Sequence, residues 1–188
     1  MDSIIPATAT IAFWINAKVG GMISDTDFAN ACESHLGMAL AIPDHRVQIN
    51  SSEIALDRHH ILGQTPSGKW VITQRDNSLV ALDPTSAKQT LLENISAAVD
   101  MLTELPTIGT RDDIDEALGQ LYSPHLPPLP ARLRESLELA IQIRLVCQKA
   151  LVNSQVPSSP SRETLVIHQL RHLDDLALAL ICAIASNA

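Results

Sequence analysis

The chain has 188 residues, of which 46% are hydrophobic and 18% charged, so wholesale disorder is excluded. A chain this long buries about 70% of the surface its unfolded form exposes, enough for a core without disulfides. The formal net charge of −8, with thirteen Lys and Arg spread singly, argues against a nucleic-acid binder, which needs a positive footprint on phosphate.

Residues 1–22 are apolar from Ile4 to Ile15, but the only early charge is Asp2, so a secretory signal with a basic start is not expected. Thr8, Thr10 and Asn16 make the run too polar to span a bilayer, and the expectation is a buried helix over 7–19. Ile11, Trp14 and Ile15 share one face of it, and Gly20-Gly21 supplies the stop. Ser24 is the predicted N-cap of a second helix, with Asp25 and Asp27 in its first turn and Phe28, Ala31, Cys32 and Leu36 on one stripe up to Gly37. Together these form a helical hairpin.

The period then changes. Residues 38–42 are a short apolar run stopped by Pro43. Over 53–62 residues alternate, with Ile54, Leu56, Arg58, His60 and Leu62 pointing one way, as in a single strand. Trp70-Val71-Ile72-Thr73 is a second strand and residues 79–82 a short last one. Residues 64–68 and 76–78 carry turn chemistry. The expectation is a small, mostly antiparallel sheet.

After Pro84 the helical period returns. Ala87, Leu91, Ile95, Ala98, Leu102 and Leu105 share a face of a helix of about twenty residues. A short helix follows at 110–121, then the stiff connector Pro124-His125-Leu126-Pro127-Pro128-Leu129-Pro130. A long helix is expected over 131–152. A last one runs from 160 or 161 to about 185, with Val166, Leu170, Leu173, Ala177, Leu180, Ile181 and Ile184 along one face. The fold class is therefore α+β: helical hairpin and small sheet over 1–83, helical bundle over 84–188, the two sharing one core because so small a sheet does not stand alone.

Chemistry is sparse. Cys32, Cys147 and Cys182 have no CxxC spacing, which argues against a structural zinc site or redox pair and suits reduced thiols in a cytoplasmic setting. No metal or cofactor is expected. Gly63-Gln64-Thr65-Pro66-Ser67-Gly68-Lys69 fits GxxxxGK, but Trp70 stands where a phosphate-binding loop places Ser or Thr, and a strand follows where that loop needs a helix; a hairpin turn accounts for the glycines. His168, His172 and Asp175 stack on one helical face at metal-compatible spacing, opposite the apolar stripe and without the glutamate of HExxH, so a solvated face is expected. The acids Glu93, Asp100, Glu104, Asp112, Asp113, Asp115 and Glu116 are opposed by Arg111 alone, which reads as solvated helix faces or as an acidic docking surface.

Arg144 is the least ordinary residue. Steps of 100° place it amid the stripe of Leu133, Leu137, Ala140, Cys147 and Leu151. Its charge cannot be shed, so it must meet a carboxylate, carbonyls or a ligand. One reading is an internal ion pair. The other is a ligand-facing arginine, in a cleft with His60 and Trp70 that takes an anion.

Along the chain follow Phe13-Trp14-Ile15-Asn16-Ala17-Lys18-Val19-Gly20-Gly21, then Ser24-Asp25-Thr26-Asp27-Phe28-Ala29-Asn30-Ala31, residues 38–43, residues 48–56, Trp70-Val71-Ile72, and the proline-led helix bearing Arg144. In that order these pieces resemble a conserved family of actinobacterial proteins of unknown function. Members of that family are longer and richer in Ala and Arg, and their loop corresponding to 43–50 carries a Gly/Pro-rich stretch absent here. The resemblance implies a host lineage, a cytosolic setting and an α+β layout, and it implies no reaction. With no catalytic constellation complete, the expected function is a non-catalytic protein-interaction or regulatory module with a protein partner or a second copy of itself. The alternative is a small enzyme or anionic-ligand-binding protein using His60, Trp70 and Arg144.

Overall fold

The computed structural model describes residues 4–31, 54–55, 60–74, 83–102, 126–153 and 160–187. The expected run at 38–43, the strand at 79–82, the helix at 110–121, and most of the acidic segment after Glu93 lie outside them. Five helices and three strands are described: α1 (Ala7–Val19), α2 (Asp25–Ala31), β1 (Ile54–Ala55), β2 (His60–Gln64), β3 (Trp70–Gln74), α3 (Pro84–Leu102), α4 (Ala131–Asn153) and α5 (Pro160–Asn187). This is the expected α+β layout of helical hairpin, small antiparallel sheet and helical bundle.

The helix ends follow from local chemistry. At the end of α1, Met22 N–H donates to the Ala17 carbonyl at 2.8 Å and Gly21 N–H to the Lys18 carbonyl at 3.1 Å, a Schellman closure. That closure puts Gly21 at φ +70°, a conformation only glycine adopts without strain. Ser24 and Asp27 then cap α2 reciprocally. Asp27 N–H donates to Ser24 Oγ at 3.1 Å, and Ser24 N–H donates to Asp27 Oδ2 at 3.3 Å. Ser24 Oγ–H also donates to Asp27 Oδ2 at 2.7 Å, and this bond, with the one from Ser24 N–H, holds the Asp27 carboxyl below its usual range. For α3, Asp83 accepts from Ser86 N–H at 2.8 Å, and Pro84 takes the first helical position, where a missing N–H costs nothing.

The sheet has the order β1-β2-β3, with both pairings antiparallel. Ile54 is the register partner of Leu62 and Ala55 of Ile61. The single strand expected over 53–62 is therefore two strands running in opposite directions. Register partners share a face. Ile54 and Leu62 thus point the same way in the hairpin, as they would in a continuous strand, and alternation alone does not separate the two.

The last helix is the hub. α5 packs against α4 most extensively, then α3, then α1, and also touches β1. Its buried stripe is the expected one: Val166, Leu170, Leu173, Ala177, Leu180, Ile181 and Ile184. Residues 154–159 separate α4 from α5, a link that reaches about 25 Å when fully extended. α4 has 23 residues and is about 34 Å long, so the two helices can only pack antiparallel. α1 is buried on most sides, through Thr8, Ala9, Ile11, Ala12, Phe13, Trp14 and Ala17, because α5, α2, β1 and β2 all contact it. One hydrophobic cluster holds Phe13 of α1, Leu62 and Trp70 of the sheet, Leu91 of α3, Leu137 of α4 and Leu180 of α5.

Candidate functional site

Arg144 lies on the inner face of α4, between Leu137, Ala140 and Ile141 on one side and Leu145 and Cys147 on the other, and only 6% of it is exposed. A guanidinium cannot lose its proton there, so its donors must be satisfied within the fold. Two of its nitrogens face Asp174 of α5. Nε donates to Oδ1 at 3.0 Å and Nη2 to Oδ2 at 3.4 Å, the paired geometry that suits a planar fork against a carboxylate. Nη1 donates to the carbonyl of Ile4, just ahead of α1. One side chain of α4 thus ties α5 and the approach to α1 together.

Asp174 carries only a faint signal of this role in sequence. It sits seven residues before Ile181, so about 20° from it in helical projection, at the edge of the buried stripe. An acid at that position is the one hint that an arginine thirty residues away has a partner. Asn16 has no such hint: its Nδ2 donates to the Ala185 carbonyl at 2.7 Å, near the end of α5.

Two thiols lie within electrostatic reach of the arginine. Burial pushes the Cys147 thiol up to about 12; the Asp174 carboxylate adds to the rise and Arg144 opposes it. Burial also raises Cys182, again against the pull of Arg144. Neither thiol has the thiolate character that nucleophilic or redox chemistry requires.

The other two residues of the expected ligand cleft are in the sheet. Trp70 is buried at the start of β3, within the main hydrophobic cluster. His60 is half-buried at the start of β2. Trp70 is opposite Gln64, while His60 is opposite Gln74, at the other end of the same ladder. Four residues of strand rise, roughly 13 Å, separate the two positions along the strands. The ladder does not bring the imidazole and the indole to one point.

The other motifs take their plainer form. In the GxxxxGK segment, Gly68 N–H donates to the Thr65 carbonyl at 2.8 Å, and Gly68 has φ +82°. Thr65 Oγ1 accepts from Lys69 N–H at 3.1 Å. This is a β2–β3 hairpin turn with glycine in its left-handed position, and no helix follows that could aim N–H groups at a phosphate. His168 and Asp175 are exposed, and exposed His172 shares a 3.2 Å hydrogen bond with Asn94 of α3. Among the described residues no three His, Cys, Asp or Glu side chains gather in a way that could hold a metal, and no helix is long and apolar enough to cross a membrane.

No protein-family model, curated protein or solved structure matches this chain.

Proposed function

We propose that this protein is a non-catalytic protein-interaction or regulatory module, working through a protein partner or a second copy of itself. The observation that carries the reading is the pairing of Arg144. An anion site needs a guanidinium open to incoming ligand, but Arg144 is only 6% exposed, and three of its five N–H groups already hold Asp174 and the Ile4 carbonyl. A recognition surface is better supported by the helix ends. Val152 near the end of α4 is 84% exposed, and Leu165 near the start of α5 is 61% exposed. Because α4 and α5 run antiparallel, both lie towards the same tip of their hairpin, where large apolar side chains facing water favour contact with another surface. The resemblance to the actinobacterial family of unknown function adds no reaction to this proposal.

The test is light scattering on the purified full chain over a wide concentration range, with affinity capture from the native host alongside. The expected result is association that Val152→Glu with Leu165→Glu abolishes while the melting temperature holds. A monomer at every concentration that captures no partner would overturn the proposal. So would a rise in melting temperature on adding inorganic phosphate, if that rise disappears in Arg144→Leu.

A further inference from the structure

We draw no further inference here: the strongest candidate, the exposed apolar surface of Val152 and Leu165 towards the tip of the α4–α5 pair, carries nothing, because nothing among the described residues shows what covers it.

Discussion

Asn16 and Ala185 join the two ends of the fold. The Asn16 amide donates to the Ala185 carbonyl at 2.7 Å. Ile4 meets Arg144 at the level of Asp174, and Asn16 meets Ala185, so the segment from Ile4 to Asn16 runs parallel to α5 from Asp174 to Ala185. Apolar packing is non-directional and tolerates a slide of α1 along α5. The two polar contacts do not, because each fixes one end of the segment. A hydrogen bond of this kind contributes about 1 kcal/mol. Asn16→Ala is therefore expected to lose about 1 kcal/mol, and to melt about 2–4 °C below the wild type in a chain of this size. Calorimetry of the two proteins side by side checks this.

Gly21 gives a second, independent test of how α1 ends. A Cβ placed there meets nothing within 4 Å, so any cost of adding one comes from the backbone alone. With φ at +70°, Gly21→Ala is expected to lose about 1 kcal/mol. Gly21→Asn should lose less, since asparagine tolerates the left-handed region. Equal losses in urea denaturation would show that the penalty has another source.

Helix boundaries were the most legible part of the fold because their causes are local. Gly20-Gly21, Ser24, Pro84, Pro130 and Pro160 each act within a turn of where they stand; α1, α4 and α5 begin and end within about two residues of their expected bounds, and α3 begins at Pro84 as expected. The sheet was legible in kind but not in connection, since alternation is blind to chain direction. The candidate site was half legible. The stripe on α4 showed that Arg144 needs a partner. The identity of that partner depends on how α5 docks, which no local pattern encodes, and the same applies to Asn16 and Ala185. The neighbouring acid, Asp175, has the suggestive spacing to His168 and His172, yet Asp174 is the one that turns inward.

The buried Cys147 thiol predicts a pH response at the alkaline end. Cys147 has an ordinary value of 9.0, raised in the fold to about 12. Its contribution to stability is thus fully present below pH 9.0 and is lost progressively as the pH rises through about 12, because the unfolded chain ionises first. Cys147→Ala should flatten that alkaline decline while creating a small cavity cost at neutral pH. Alkylation followed by peptide mapping is a direct check at pH 8. Cys147 should stay unmodified in the native protein and react only after denaturation.

Arg144 and Asp174 are a structural pair, and a double-mutant cycle in chemical denaturation measures that directly. Arg144→Leu leaves a largely buried carboxylate without its partner, and Asp174→Leu leaves a buried guanidinium. Each should cost about 3 kcal/mol. The double variant, with neither charge left behind, should cost clearly less than the two losses combined, giving a coupling of about 2 kcal/mol. A contradiction would be Arg144→Leu unfolding at the wild-type denaturant midpoint with no coupling to Asp174, since an arginine that stability does not need would have to be kept for a ligand.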